Sequence, residues 1–298
     1  MLGYDQPLFM LALDHRGAGH MAMFEAAADP TPEQRARITR VKQLIADAFS
    51  HALAHGVDPR TAGLLVDEEF GAEIARTART QGTIVAMPVE VAGLDHFQFE
   101  YGHDFADHLS AFDPTMAKVL VRFNPLGDAA KNRASLEHLG QLSAWLGPRP
   151  MKFLLELIVP PTPAQIDTAG GLEAYDTDVR PELTREVMAT MQGAGIEPDL
   201  WKIEGIDRKD DCHAIAEQAR AQGRDRVGCV VLSRGADEPT MHRWLRTAAA
   251  VPGFVGFAIG RTVWRGEVAR YLAGDLDHTS ALERISTNYR RCVAAFAG

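Results

Sequence analysis

Eight short apolar runs recur along the 298-residue chain, each followed by a longer segment of helical character. This is the pattern of parallel β/α units, because a strand that re-enters a sheet parallel to its neighbour needs a long crossover, usually a helix. The runs lie near Leu8–Asp14, Gly63–Asp67, Thr83–Pro88, Ala117–Phe123, Met151–Ile158, Leu200–Glu204, Val227–Ser233 and Phe254–Gly260. Between them, Pro32–His55 carries apolar residues at a period near 3.6 (Ile38, Val41, Leu44, Ile45, Ala48), as do Asn132–Leu146, Leu183–Ala194 and Thr240–Ala250. Eight such units in a chain of this length match an α/β fold of the (β/α)8 TIM-barrel type, which takes roughly 250 residues. One domain spanning 1–298 is expected. The segment 160–181 opens Pro-Pro-Thr-Pro and contains a Gly-Gly pair, so it reads as a loop insert after the fifth strand, either a lid or a surface excursion.

Composition narrows the partners. With 46% hydrophobic and 24% charged residues the chain is ordinary globular protein, and no stretch supplies the ~20 apolar residues of a membrane span. The N-terminal segment lacks a basic start, so no secretory signal is expected and a cytoplasmic location is. Cys212, Cys229 and Cys292 are far apart, which suggests neither a disulfide framework nor a thiolate metal site. A net charge of −9 disfavours nucleic acid and anionic membranes as partners. An anionic small molecule would have to meet a local basic pocket. Homo-oligomerisation is left open.

Alternation along the strands locates that pocket. In Leu200-Trp201-Lys202-Ile203-Glu204 the period of two sends Trp201 and Ile203 toward the helices, and Lys202 and Glu204 into the barrel. By the same count Glu156 and Lys118 with Arg122 point inward, while Asp14 and Arg16 follow the first strand and Asp67 and Glu69 the second. Burying such groups costs several kcal/mol each unless they are paired. They form either an internal salt-bridge network or a reaction centre, and two lysines among carboxylates suit Schiff-base chemistry. After the last two strands come Ser233-Arg234-Gly235 and Gly260-Arg261, where backbone N–H groups and a helix start can hold phosphate. No HxH or HExxH spacing is present; His96, His103 and His108 read as surface or capping residues, and His15 adjoins Asp14. No metal and no organic cofactor is expected.

The phrases LALDHRG, LLVDEEFG, FEYGHDFADH, KVLVRFNPLGD, LLELIVPP, PDLWKIEGIDRKDDC and GFAIGRTVW cover nearly the whole chain. They resemble the 2-deoxy-5-keto-gluconate-6-phosphate aldolase domain of myo-inositol catabolism, which often follows a sugar kinase. No kinase precedes it in these residues, as expected of a stand-alone form. More distantly, the framework is similar to class I tagatose-1,6-bisphosphate aldolases. The resemblance implies a class I aldolase with Lys202 as Schiff-base lysine and Lys118, Glu156 and Asp14 around it. It also implies a DxExG substrate motif at Asp67, Glu69 and Gly71. The implied substrate is a sugar phosphate with a carboxylate at one end, cleaved to dihydroxyacetone phosphate and malonate semialdehyde; Arg16 and Arg122 either hold that carboxylate or simply pair with Asp14 or Glu156. The competing readings are a related deoxy-, sulfo- or bisphosphate sugar as substrate, a metal-dependent aldolase or isomerase, and a barrel that senses sugar phosphate without turning it over.

Overall fold

A computed structural model describes residues 1–298. Its strands are β1 (Leu8–Ala12), β2 (Ala62–Leu65), β3 (Ile84–Pro88), β4 (Met116–Arg122), β5 (Lys152–Ile158), β6 (Leu200–Glu204), β7 (Gly228–Leu232) and β8 (Phe254–Ile259). Each pairs in parallel with the next and β8 with β1, closing the eight-stranded TIM barrel expected from the runs. The principal crossover helices are α1 (Pro32–Ala54), α2 (Glu68–Thr80), α3 (Phe105–Phe112), α4 (Ala129–Leu146), α7 (Arg180–Gly193), α8 (Lys209–Arg220) and α9 (Glu238–Ala249). After β8, α10 (Arg261–Leu272) and α11 (His278–Ala297) complete the shell. No helix is long and apolar enough to cross a membrane.

Two apolar layers follow from the period of two. Outward residues such as Phe9, Val119, Leu155 and Trp201 join the large core beneath the helices. Inward residues such as Met10, Met116, Leu154, Leu200 and Val230 form a smaller plug inside the barrel. Above that plug the inward positions become polar, so Lys118, Glu156 and Lys202, within β4, β5 and β6, stand on an apolar floor and face the carboxyl side of the barrel. The outer shell is pinned to β1 by polar ends of large side chains: Trp264 Nε1 donates to Ala12 O at 2.9 Å and Tyr289 Oη to Phe9 O at 2.6 Å. All three cysteines are buried and free.

The segment after β5 is not a loop. It folds into α5 (Pro163–Ala169), a short α6 (Leu172–Ala174) and one π-helical turn, Tyr175–Val179, that runs into α7. Thr162 accepts from Gln165 N while Gln165 returns a bond to Thr162 N, a reciprocal cap with proline at the first helical position. Tyr175 is fully buried, with its hydroxyl donating to Val159 O at 2.9 Å.

Candidate active site

On the carboxyl side of the barrel lies a cavity lined by Asp14, Lys118, Glu156 and Lys202 and open to solvent. Its centre is built by register. Glu156 and Lys202 are direct partners across β5 and β6, so both side chains enter the barrel at one level. Glu156 Oε2 accepts from Lys202 Nζ at 3.0 Å and stands 3.0 Å from Lys118 Nζ as well. Lys118 also donates to Asp14 Oδ2 at 3.0 Å and to Glu90 Oε1 at 2.7 Å.

The two lysines are therefore unequal. Burial works against the Lys118 ammonium, but Asp14, Glu156 and Glu90 outweigh it and push its pKa above the ordinary lysine range. Lys202 has only the Glu156 oxygen, which it shares. Burial raises the Glu156 carboxyl, yet Lys118 and Lys202 together hold it below its usual value. Asp14 is depressed likewise, with Lys118, His15 and Lys202 overcoming its burial. The arrangement is a fixed cation and a second amine that meet at one carboxylate oxygen, the first as an ion pair and the second through a hydrogen bond.

On the β7–β8 side, Ser233, Arg234, Gly235, Gly260 and Arg261 all line the cavity. The backbone N–H groups of Arg234, Gly235 and Gly260 donate to no protein acceptor. Gly235 has φ of 79°, where a Cβ is disfavoured. Gly260 is required for a different reason than ligand approach: a Cβ there would come within 2.2 Å of Ala12 O. Arg261 forms no ion pair; its Nη2 donates only to Arg234 O at 3.3 Å, and burial, with Arg265 nearby, lowers its pKa. Arg234 is instead bound to Asp176 and Glu204.

The opposite wall comes from the β3–α3 connection, a hairpin in which Glu90 bridges Phe99. Arg122 lines this wall, gives one N–H to Leu94 O at 2.9 Å and has no carboxylate partner. Arg16 lines the cavity, and of the two roles open to it the structure shows pairing, with Glu100 where Asp14 or Glu156 was foreseen. It is almost fully buried, its guanidinium holds Glu100 with Nη2 2.6 Å from Oε2, and Nη2 also donates to Glu90 O.

Asp67 and Glu69 are a second correction, since neither lines the cavity. The Asp67 carboxylate caps α2, accepting from Phe70 N at 2.9 Å, and pairs with the buried Lys42. Glu69 faces Arg35 at 2.9 Å. In place of that motif the structure supplies Glu90 and His20, which line the cavity and which sequence reasoning missed, with Glu100 behind them on Arg16. Ala86, Pro88 and Glu90 continue the inward alternation of β3, a signal that was available for Glu90. His20 lines the cavity with Nδ1 2.9 Å from Arg16 O, which fixes the proton on Nδ1 and turns Nε2 into an acceptor. His15 is mostly shielded, with its Nδ1 inaccessible, unpartnered and 4.0 Å from Asp14 Oδ1; desolvation pushes its pKa well down.

Of the remaining histidines, His96 lines the cavity beside Asp95, whereas His108 bonds Glu68 away from it. No three His, Cys, Asp or Glu side chains are grouped as metal ligands. No residue between 160 and 181 lines the cavity, so the insert is no lid over it in this structure.

A family model described as "Uncharacterized protein conserved in bacteria (DUF2090)" matches residues 4–297. No curated protein matches the sequence. Among solved structures, an archaeal fructose 1,6-bisphosphate aldolase is similar with a TM-score of 0.60 and 14% identity over 99% of this chain and 95% of its own. A Schiff-base-forming fructose-1,6-bisphosphate aldolase is similar with a TM-score of 0.56 and 14% identity, over 96% of this chain and 94% of its own. Cgl0159 from Corynebacterium glutamicum is similar with a TM-score of 0.60 and 18% identity, over 97% and 88%. At these identities the likeness is one of fold.

Proposed function

The chain belongs to the DUF2090 family, whose description carries no activity, so its chemistry has to come from its site; we propose that it is a class I, Schiff-base-forming aldolase acting on a phosphorylated keto sugar acid. The observation that carries this reading is the single oxygen, Glu156 Oε2, within 3.0 Å of both Lys118 Nζ and Lys202 Nζ. A permanently charged lysine and a second amine with a proton acceptor in contact meet the needs of iminium formation.

In this mechanism Lys202 passes a proton to Glu156 and its neutral amine adds to the substrate ketone. Glu156 returns the proton to the carbinolamine oxygen, water leaves and an iminium forms. The restored carboxylate then takes the proton of the hydroxyl on the far carbon of the bond to be cleaved. That bond breaks, its electron pair enters the iminium to give an enamine, and an aldehyde departs. Glu156 protonates the enamine carbon, and hydrolysis frees the ketone product. Lys118 stays charged throughout and holds Glu156 and Asp14 in place.

The two unpaired guanidinium groups support a substrate anionic at both ends. Arg261, with the free N–H groups of the β7 and β8 loops, suits a phosphate; Arg122 across the mouth suits a carboxylate. The sequence resemblance supports 2-deoxy-5-keto-gluconate 6-phosphate, cleaved to dihydroxyacetone phosphate and malonate semialdehyde. A second reading, a bisphosphate ketose, is favoured by the same Arg122 and by the activity named for the similar structures.

The test is release of dihydroxyacetone phosphate from each substrate in the presence of EDTA. Chelator-insensitive release from the keto sugar acid phosphate is expected. Loss of activity to EDTA would move the assignment to a metal-dependent lyase. Binding of both compounds without cleavage would move it to a sensor.

A further inference from the structure

The insert after β5 touches the cavity only through an intermediary. Arg234 and Gly235 are consecutive residues in the left-handed region, at φ 55° and 79°. They are the central residues of a turn closed by Ala236 N donating to Ser233 O at 2.9 Å, and successive N–H groups in a turn can converge on an anion. Glycine adopts this backbone freely, whereas Arg234 carries a Cβ and does so only when its surroundings hold it there. Its side chain supplies the hold. Arg234 Nη1 bonds Asp176 Oδ1 at 2.9 Å and Glu204 Oε1 at 3.1 Å.

Asp176 sits in the π-helical turn of the insert, and the same Oδ1 accepts from Arg180 Nε at 3.0 Å. Arg180 is nearly inaccessible and donates through Nη2 to Gly205 O at 2.8 Å, so it ties the turn to the end of β6. Glu204 Oε2 accepts from Val159 N at 3.0 Å, which ties the cluster to the end of β5. Two guanidinium groups and two carboxylates thus neutralise one another. The Arg234 charge is consumed internally, and what the residue offers a ligand is its backbone. Arg234 O in turn accepts from Arg261 Nη2, so the hold on Arg234 reaches Arg261, a rim arginine that forms no ion pair.

We infer that Asp176 is a positioning residue that fixes Arg234 in its left-handed conformation, so that the insert sets the phosphate affinity of a cavity it does not line. The inference rests on the reading that the β7 and β8 loops hold the substrate phosphate. It assigns the insert a buttress role, and it separates binding of the phosphate from reaction at Lys202.

The experiment compares the wild type with Asp176→Asn and with Asp178→Asn. Asp178 makes the same charge change on the same turn but pairs with the exposed Arg208. Inorganic phosphate binding is measured by calorimetry, and borohydride trapping is run with dihydroxyacetone and with dihydroxyacetone phosphate. In Asp176→Asn, phosphate should bind about tenfold more weakly, the loss expected for one charged hydrogen bond. The preference for the phosphorylated ketone should fall in step, while trapping of dihydroxyacetone stays at the wild-type rate and Asp178→Asn matches the wild type. Unchanged phosphate affinity in Asp176→Asn, or an equal loss with both ketones, would overturn the inference. If the wild type traps neither ketone while phosphate binding still weakens in Asp176→Asn, the buttress stands and the Schiff-base reading falls.

Discussion

Lys118 Nζ lies 2.7 Å from Glu90 Oε1, closer than the 3.0 Å that separates it from Asp14 Oδ2 and from Glu156 Oε2. One buried ammonium thus serves three carboxylates. Removing one partner of a buried ionic cluster leaves uncompensated charge, typically a loss of about 3–5 kcal/mol. Lys118→Met should lower the unfolding free energy by about that much in urea titration. A loss of under about 1 kcal/mol, the scale of an exposed pair, would show that Lys118 is not the hub of the cluster.

The same cluster sets a pH dependence. Asp14 and Glu156 are held below their ordinary values of 3.8 and 4.5. Depressed carboxyls contribute stability above the unfolded-state values, and that stability is lost as pH falls toward the folded-state ones. Lys118, raised above 10.5, contributes stability that is complete below that value and is lost only as pH climbs through its higher folded-state pKa. Glu204, raised by burial despite Arg180 and Arg234, runs the other way and relieves the protein as pH falls. Unfolding measured from pH 3 to pH 9 should show stability dropping below about pH 4. In Lys118→Met the drop should be shallower, and an unchanged profile would contradict the assignment.

How much of this was legible in the sequence depended on whether the partner was local. Strand alternation alone placed Lys202 and Glu156 inside the barrel, because parity needs no knowledge of neighbours. It misplaced Asp67 for the same reason. That residue stands at an inward position just past β2, but it is also the first residue before a helix, and its carboxylate is taken by Phe70 N and by Lys42. Nothing in the sequence around Asp67 announces a lysine on the preceding helix. The partner of Arg16 was misjudged, since Glu100 reaches it only because the β3–α3 hairpin folds back. The insert was readable in part: Thr162-Pro163 followed by Gln165 is a helix start, outweighed in the reading by the prolines and glycines on either side.

Burial raises the thiols of Cys212 and Cys292 to about 12 and that of Cys229 further still. Thiolate is the reactive form, so these side chains should resist modification. A colourimetric thiol assay should detect none in the native protein and all three after denaturation. Rapid labelling of any one in the native state would contradict the burial described.

Arg261, with no counter-charge of its own, is the guanidinium assigned to phosphate. Arg261→Ala should raise KM for a phosphorylated substrate about 10- to 100-fold, as expected for loss of a charge-assisted bond. Reaction with an unphosphorylated ketone should change little. Equal effects on both substrates would remove Arg261 from phosphate binding.

Lys202, and not Lys118, is the lysine proposed to form the covalent intermediate. The direct measurement is borohydride reduction in the presence of dihydroxyacetone phosphate, followed by peptide mass mapping of the wild type, Lys202→Ala and Lys118→Ala. A reduced three-carbon phosphate adduct is expected on Lys202, absent in Lys202→Ala. An adduct on Lys118, or no adduct while the phosphate still binds, would contradict that assignment.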